Sequence, residues 1–300
     1  MRKEDYSIFE YRMQKDMINV EAVINERLNG NFEKYSIRTE TAGHIDISIY
    51  RPSIDNGKEF FPAVFSFHGG GFVLGYYEMD GKYCRRLADA TGCAIINVDY
   101  CLAPEFKFPK AILSSYEVIS YVKRHAQEYR IDENKIMVMG HSAGGNIAVD
   151  MCLLDKEKKE VELKGLIANY APLRQSISEE DRKAKDPSKA ISRNRMLQYI
   201  HWYFDDLDDL NHPLASPAIA DLENLPQTLI LSAELDSLCD EEREFAEKAK
   251  QAGVDVLYEV FQGCQHGFTH QELKEYNHVE AERAWNLMST FIKNVFFETN

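Results

Sequence analysis

The 300-residue chain lacks the features that mark several protein classes. Its 35 lysines and arginines are outnumbered by 49 aspartates and glutamates, which gives a formal net charge of −14. Nucleic acids and anionic lipid surfaces bind clustered cations, so we expect neither a nucleic acid nor a membrane as partner. No apolar run approaches the roughly 18 residues of a membrane-spanning helix. The first residues also lack the apolar segment that is typical of a signal peptide.

Cysteine is scarce and scattered. The chain holds six cysteines with no CxxC pair among them: Cys84, Cys93, Cys101, Cys152, Cys239 and Cys264. This spacing predicts neither a zinc site nor another metal site. Without a signal sequence, such thiols are typical of a reducing cytoplasm, where we expect the protein to work. A chain of this length buries about three quarters of its unfolded surface and needs no disulfide to fold.

Short apolar runs alternate with helical patterns from residue 62 onward. Turn residues bound each run, and six strands are predicted: Ala63–Phe67, Ala94–Val98, Lys135–Met139, Leu163–Ala168, Thr228–Ala233 and Val256–Phe261. Strands that are apolar throughout are typical of a parallel sheet buried on both faces. The alternation therefore predicts an α/β fold, with a mostly parallel central sheet covered by helices on both faces. We expect a single domain over residues 1–300.

Two segments lie outside this alternation. Residues 4–29 form a charged helical stretch that ends at Asn29-Gly30, a helix-stop signal. Residues 172–217 are too long for a plain loop and are predicted to be a lid or pocket wall, although a surface excursion would read similarly. Within them, Met196–Phe204 is predicted as a helix whose apolar face closes over a small pocket.

The strongest local motif is Gly140-His141-Ser142-Ala143-Gly144. It follows the predicted strand Lys135–Met139 and opens a helix of small residues, Ala143–Leu154. Strand, G-x-S-x-G and helix together are typical of a nucleophile elbow, a strained turn that exposes a serine hydroxyl. Ser142 is therefore predicted to be a nucleophile, against the alternative of a glycine-rich turn without chemistry.

A second glycine-rich loop, His68-Gly69-Gly70-Gly71-Phe72, follows the strand Ala63–Phe67. Backbone amides of such a loop can face the negative charge that develops on a reacting carbonyl. With the amide after the nucleophile, they form the oxyanion hole of many lipases and esterases. A phosphate loop is the competing interpretation, and it fails because the G-x-G-x-x-G and Gly-Lys-Ser/Thr patterns are missing. We expect no cofactor.

A nucleophilic serine needs a base, and the base needs an orienting acid, in the chain order Ser, Asp or Glu, His. Asp236 follows the strand Thr228–Ala233, and His266 follows Val256–Phe261. Because the carboxyl ends of parallel strands meet at one edge of a sheet, both side chains should lie beside Ser142. The positions of three other candidates for the acid or the base, relative to the strands, exclude them: Asp255, His270 and His278.

These segments resemble the hormone-sensitive-lipase-like carboxylesterases, bacterial family IV of the α/β-hydrolase superfamily. The resemblance runs from about residue 60 to the end and rests on six blocks in family order: HGGGF (68–72), DYCLAPE (99–105), GHSAGG (140–145), SPAIADL (216–222), AELDSL (233–238) and CQHGF (264–268). It implies an α/β-hydrolase core, a small helical cap at about 1–30 and 172–217, and hydrolysis of carboxylic esters. The implied site residues are a triad, Ser142, Asp236 and His266, and oxyanion-hole amides from Gly70, Gly71 and Ala143.

Three positions depart from the family pattern. His141 lies where an aspartate is common before the nucleophile, and Cys101 and Cys239 lie where arginine is usual. None of them is a triad residue. The departures leave side-chain bracing and acyl preference open.

The sequence as a whole predicts a serine carboxylesterase that hydrolyses small, short-acyl esters through an acyl-enzyme. The expected pocket residues are Phe72, Trp202, Tyr203, Leu238 and Phe268. One alternative is a deacetylase or amidase that uses the same triad on acetylated sugars, arylamides or formamides. Another is a non-catalytic ligand-binding protein, although such proteins tend to lose the histidine that this chain keeps at His266. The expected partner is a small-molecule ester, and homodimer formation is left open.

Overall fold

The computed structural model describes residues 3–54, 57–178 and 182–297. The predicted single domain and its cap segments also include residues 1–2, 55–56, 179–181 and 298–300, which lie outside the described residues. Over the described chain, the single-domain assignment stays a prediction. None of the described helices is long and apolar enough to cross a membrane.

One eight-stranded sheet forms the centre of the described chain. Its strands are β1 (Glu33–Thr39), β2 (Gly43–Tyr50), β3 (Phe61–Phe67), β4 (Ala94–Asp99), β5 (Ile131–His141), β6 (Gly165–Asn169), β7 (Gln227–Ala233) and β8 (Val256–Phe261). They lie in the order β1-β2-β4-β3-β5-β6-β7-β8. Strand β2 pairs antiparallel with both β1 and β4, and the pairs from β4 to β8 are parallel. The predicted α/β fold class is confirmed.

Helices cover both faces of the sheet. The described helices are α1 (Lys3–Asn29), α2 (Gly81–Thr91), α3 (Lys110–Arg124), α4 (Ala143–Lys158), α5 (Arg193–Tyr203), α6 (Cys239–Gln251) and α7 (His278–Phe297). Helices α2 and α7 pack over one core, and α3, α4 and α6 pack over the other. Strand β3 serves both cores, because Val64 belongs to the first and its neighbour Phe65 to the second. Successive side chains of a strand point to opposite faces, so a strand between two helical layers is apolar throughout.

Helix α1 lies over the loops that follow β3 and β4. Arg12 of α1 donates hydrogen bonds from Nε to the carbonyl of Val73 (2.7 Å) and from Nη2 to that of Ala103 (2.5 Å). Its Nη1 also pairs with Glu105 at 2.6 Å. These bonds hold the helix above the edge of the sheet where the parallel strands end.

The segment 172–217 lies over the same edge and contains α5. Helix α5 is capped by Ser192, whose Oγ accepts a hydrogen bond from the amide of Arg195. Glu241 of α6 fastens the start of the segment, since its Oε1 accepts hydrogen bonds from the amides of Leu173 (2.8 Å) and Arg174 (3.1 Å). We refer to α1 and α5 together as the α1/α5 wall.

Candidate active site

Ser142 lies in the turn between β5 and α4. Its φ of 54° and ψ of −122° are unusual for a residue other than glycine. The turn is tight because a Cβ at Gly144 would come within 2.1 Å of the carbonyl oxygen of Phe67. The backbone thus takes the strained conformation predicted for a nucleophile elbow.

Three side chains predicted from the sequence come together at this edge. His266 Nε2 lies 2.8 Å from Ser142 Oγ, and His266 Nδ1 lies 2.5 Å from Asp236 Oδ2. Asp236 is buried, and its Oδ1 accepts a hydrogen bond from the amide of Leu238 at 3.3 Å. Ser142 can therefore donate its proton to His266, while Asp236 holds the other ring nitrogen.

The glycine-rich loop after β3 lies against the serine. A Cβ at Gly69 would be 3.5 Å from Ser142 Cβ, and Gly70 and Gly71 line the same pocket. Gly71 has a φ of 61°, a conformation that favours glycine. Ala143 is the first residue of α4, so its amide has no acceptor within the helix. These backbone amides are available to a negatively charged oxygen.

His68 braces this loop. Its ring is buried and stacks on Tyr100 with 4.2 Å between centroids. Its Nδ1 donates a hydrogen bond to the carbonyl of Gly69 at 2.7 Å. Burial lowers the pKa of His68, which keeps the ring neutral.

A cavity of about 390 Å³ opens above Ser142 and His266. Phe72, Tyr203 and Leu238 line it, as predicted. The rings of Phe72 and Tyr203 stack in parallel, 3.9 Å apart. The volume is at the small end of the range for ligand pockets.

Comparison with known proteins assigns the family. Residues 64–270 match a family model described as an alpha/beta hydrolase fold. An arylesterase of Saccharolobus solfataricus is 33% identical over 228 residues, which cover 75% of this chain and 72% of that protein. The chain belongs to the hormone-sensitive-lipase-like family of α/β-hydrolases.

Further relatives of this hydrolase carry the same kind of activity in their names. An acetyl esterase of Salmonella paratyphi B is 29% identical over 257 residues, 82% of this chain and 77% of that protein. The solved structure of an esterase from Pyrobaculum calidifontis has a TM-score of 0.86 and 31% identity, and covers 96% of this chain and 93% of that one. A carboxylesterase from a metagenomic library, EstE1, has a TM-score of 0.84 and 28% identity, covering 97% and 98%. The hydrolase is thus a carboxylic ester hydrolase.

Two of the pocket residues predicted for this hydrolase were wrong. Trp202 is 1% exposed and lies behind Tyr11, stacked on that ring at 5.7 Å, so it does not line the cavity. Phe268 is fully buried in the core under α7, where its ring packs 4.9 Å from that of Phe261. Both are aromatic residues near the site in sequence that point into the protein core instead.

The sequence analysis missed the residues that close the cavity from above. The hydroxyl groups of Tyr11 and Tyr199 lie 2.7 Å apart across the α1/α5 wall. The face of α5 that lines the cavity has the helical spacing i, i+3, i+4, i+7 and consists of Met196, Tyr199, Ile200 and Tyr203. Hydrophobicity does not set this face apart in the sequence, because Leu197 and Trp202 on the other faces of α5 are also apolar.

The three departures from the family pattern are accommodated in different ways. The thiol of Cys101 lies 3.6 Å from Ser114 Oγ, and that of Cys239 lies 4.0 Å from the hydroxyl of Tyr258. All six cysteines lie in the described chain, and none forms a disulfide. His141 belongs to a buried polar cluster.

This cluster joins His141, Asp80 and His270 behind Ser142. Asp80 Oδ1 lies 3.3 Å from His270 Nε2, while His270 Nδ1 lies 2.9 Å from the hydroxyl of Tyr170. His141 Nδ1 accepts a hydrogen bond from the side-chain Nδ2 of Asn169 at 2.8 Å. Burial, with the adjacent His270, lowers the pKa of His141 to about 3. Burial opposes ionisation of Asp80, but His270 and the other nearby histidines hold its pKa below the usual value.

The same three residues could hold a metal ion. Each offers one ligand atom, and these atoms lie within 4.8 Å of one another. The sequence analysis expected no metal site and did not find this group, because its three members come from distant parts of the chain. His141 and His270 have hydrogen-bond partners outside the group, whereas neither carboxylate oxygen of buried Asp80 has one among the described residues.

Proposed function

We propose that this hydrolase cleaves small, short-acyl carboxylic esters through an acyl-enzyme on Ser142. The observation that carries the proposal is the chain of contacts from Ser142 Oγ to His266 (2.8 Å) and on to Asp236 (2.5 Å). Ser142 attacks the ester carbonyl while His266 takes its proton. Asp236 holds the imidazole in the tautomer that accepts this proton and stabilises the imidazolium that forms.

The reaction then proceeds in two halves. His266 returns the proton to the leaving alkoxide, which departs as the alcohol and leaves the acyl group on Ser142. A water molecule next gives a proton to His266 and attacks the acyl carbonyl, which frees the acid and the serine. Amides of Gly70, Gly71 and Ala143 would bind the oxyanion in both halves, and one such donor supplies roughly 10²–10³-fold in kcat.

The shape of the cavity supports short acyl chains. Its apolar lining includes Phe72, Tyr203 and Leu238, and the rings of Tyr11 and Tyr199 limit its depth. We take the α1/α5 wall as the cap of a single-domain enzyme. Each buried CH₂ adds roughly 0.8 kcal/mol of binding, but only while the cavity has room for it.

Hydrolysis of p-nitrophenyl butyrate by wild type and Ser142→Ala tests the proposal. We expect the variant to lose on the order of 10⁴-fold or more in kcat/KM. Ser115→Ala is the matched control, because Ser115 is buried in α3 and its hydroxyl has no hydrogen-bond partner among the described residues. Retention of even a tenth of the wild-type rate in Ser142→Ala would overturn the assignment.

Matched substrates separate the ester function from its alternatives. A phenyl ester, the corresponding anilide and an acetylated sugar would be compared at equal concentration. We expect the phenyl ester to have the highest kcat/KM. A higher value for the anilide or the sugar acetate would assign the protein as an amidase or deacetylase with the same triad.

A further inference from the structure

Two cations of the α1/α5 wall line the cavity beside one aromatic ring, that of Tyr11. They are Lys15 of α1 and Arg195 of α5. Lys15 Nζ lies 5.7 Å from the centroid of the Tyr11 ring, and the Arg195 guanidinium carbon lies 3.7 Å from it. Both charges therefore face the same small region, although they come from helices far apart in the chain.

Neither cation has an ion-pair partner among the residues that the structure describes. This is unusual in a chain with many more carboxylates than cations. Other cations in and around the wall are paired: Arg12 with Glu105, Lys107 with Asp205, Arg182 with Glu241, and Lys185 with Glu234. Lys15 and Arg195 are therefore available to pair with an anionic ligand.

The surroundings of Lys15 are unfavourable for its charge. Burial lowers the pKa of Lys15; Glu275 opposes this, and Arg195 and Lys274 lower the pKa further. Glu275 is itself 3.4 Å from the amine of Lys274. Lys15 thus lies near two other cations and one carboxylate, and an added anion would reduce the repulsion on its charge.

The two cations lie one aromatic layer away from the reacting atoms. A Cβ on Gly71, in the proposed oxyanion hole, would lie 2.5 Å from Cε1 of Tyr199, whose hydroxyl contacts that of Tyr11. Lys15 and Arg195 lie beside the Tyr11 ring. A substrate with its ester carbonyl at Ser142 could therefore reach the cations with a group a few bonds away.

We propose that Lys15 and Arg195 form a subsite for a carboxylate carried by the ester substrate. The preferred substrates are then esters that bear a second, free carboxylate. This inference rests on the proposed function of Ser142. The subsite would bind the carboxylate through charge attraction and charge-assisted hydrogen bonds at a partly buried position.

The test compares charged esters with neutral esters of similar size. Mono-p-nitrophenyl glutarate against p-nitrophenyl valerate places the carboxylate on the acyl side, and 4-acetoxybenzoate against phenyl acetate places it on the alcohol side. In at least one pair we expect wild type to favour the charged ester by about tenfold or more in kcat/KM. The preference should weaken as salt is added, because the site is partly exposed. The pair that shows it identifies the side that carries the carboxylate.

Variants assign the preference to the two cations. Lys15→Met with Arg195→Met should remove the preference, because kcat/KM for the charged esters should fall by about tenfold more than kcat/KM for the neutral esters. Lys15→Arg keeps the charge and should retain the preference. Lys34→Met removes one charge on strand β1, away from the cavity, and should have no effect.

Three results would overturn the subsite. These are equal rates of wild type on charged and neutral esters, equal losses on both in the double variant, and loss of the preference in Lys34→Met. None of them affects the function proposed for Ser142. That function would fail instead if wild type hydrolysed none of the four esters.

Helix α1 carries a second, independent feature on its outer surface. Six large apolar side chains, 39–77% exposed, form a stripe: Phe9, Met13, Met17, Val20, Ile24 and Leu28. Their spacing of 4, 4, 3, 4 and 4 residues reads the same in both directions. Exposed apolar surface of this extent is rare on a monomer.

We infer that this stripe packs against the same stripe of a second copy, with the two helices antiparallel. A two-fold axis at the middle of the stripe sets Phe9 opposite Leu28, Met13 opposite Ile24, and Met17 opposite Val20. It also brings Glu10 of one copy near Arg27 of the other, whose guanidinium pairs with Glu78 of its own chain.

Light scattering after size-exclusion chromatography tests this dimer. We expect wild type to be dimeric at about 100 µM, Met17→Glu to be monomeric, and Val279→Glu to remain dimeric. Val279 is 71% exposed on α7 and is the matched control. A monomeric wild type, or a dimer that survives Met17→Glu, would overturn the inference. Flotation of monomeric wild type with neutral lipid vesicles, lost in Met17→Glu, would assign the stripe to lipid instead.

Discussion

The two ends of the cavity are built in different ways. At the sheet end, Ser142, Asp236 and His266 lie directly after β5, β7 and β8, so the strand before each residue sets its place. At the wall end, Tyr11 of α1 and Tyr199 of α5 lie 188 residues apart in the chain and meet through their hydroxyl groups. The positions of the residues at the sheet end follow from the parallel sheet. Which residues line the wall end depends on how two helices are rotated about their axes.

The two ends also differ in charge and burial. Asp236 and the cluster of Asp80, His141 and His270 are buried; hydrogen bonds hold Asp236, His141 and His270, and Asp80 lies in contact with His270. Lys15 and Arg195 are partly exposed and lack ion-pair partners among the described residues. Substitutions at the sheet end should therefore change the rate of the chemical step, and those at the wall should change which ester is preferred.

The largest effect is expected at the sheet end, from His266→Gln. Loss of the base should lower kcat by on the order of 10⁴-fold, since a triad acts as a unit. His278→Gln is the matched control, because His278 is exposed at the start of α7 and was a rival candidate by sequence. Steady-state hydrolysis of p-nitrophenyl butyrate measures both variants. Comparable losses in the two would contradict the assignment of the base.

Gly71→Ala tests the point where the two ends meet. The added Cβ would come 2.5 Å from the Tyr199 ring at a φ of 61°, so the ring or the loop must shift, and the amide of Gly71 moves with the loop. We expect kcat to fall by about 10²-fold, with a smaller change in KM. Tyr199→Ala in the same chain should restore part of the loss. Gly43→Ala, at a φ of +76° with open space around it, is the control for backbone strain alone.

If instead only KM changed in Gly71→Ala, the loop would bind substrate without stabilising the transition state. If Tyr199→Ala restored nothing, strain rather than contact with the wall would account for the loss. Either result would show that the Gly71 loop and Tyr199 act more independently than we expect.

Acid should destabilise the sheet end through His141. Its pKa is about 3 in the folded protein, against 6.5 for an ordinary histidine. Between these values the unfolded chain binds a proton that the folded chain does not, so stability falls as pH falls below 6.5. The loss is about 1.4 kcal/mol per pH unit, or about 2 kcal/mol at pH 5.

Urea unfolding of wild type and His141→Asn at pH 7 and pH 5 measures this loss. The free energy of unfolding should fall less steeply with acid in the variant. Buried carboxyl groups contribute to the acid sensitivity of both proteins. The test is therefore the difference between wild type and variant in how steeply the free energy of unfolding falls with pH. Equal slopes would show that His141 takes up a proton in the folded state.

The smallest effect is expected at the wall, from Tyr199→Ala. Wild-type kcat/KM should peak between acetate and about hexanoate, and the variant should shift this optimum to longer chains. Each additional CH₂ that fits should be worth about 0.8 kcal/mol, or about fourfold. Leu197→Ala is the control, because Leu197 is exposed on the other side of α5. A peak on dodecanoyl esters in wild type, or an equal shift in Leu197→Ala, would show that the wall does not limit the acyl chain.

The sequence predicted the sheet end well for a physical reason. Apolar runs bounded by turns identify buried strands, and all six strands predicted after residue 62 lie within β3 to β8 or overlap them. Helices α2 and α6 were less evident, because α2 is short and α6 is highly charged, burying Phe245 and two alanines on one side. The residues after the strands then followed from the topology.

The wall could be predicted only in part. The segment and its helix were evident from length and composition, but Trp202 was chosen where Tyr199 lines the cavity. Nearly every residue from Met196 to Phe204 is large, so hydrophobicity alone does not show which face of α5 is inward. The cluster of Asp80, His141 and His270 was also missed, since its members lie 61 and 129 residues apart along the chain and carry no local motif.

Covalent trapping of the nucleophile tests the central claim most directly. A fluorophosphonate reacts with an activated serine, and mass spectrometry of the intact and digested protein locates the adduct. We predict one adduct per chain, on Ser142, formed rapidly in wild type, slowly in His266→Gln and not at all in Ser142→Ala. No adduct in wild type, or an adduct on another serine such as Ser237, would contradict the account.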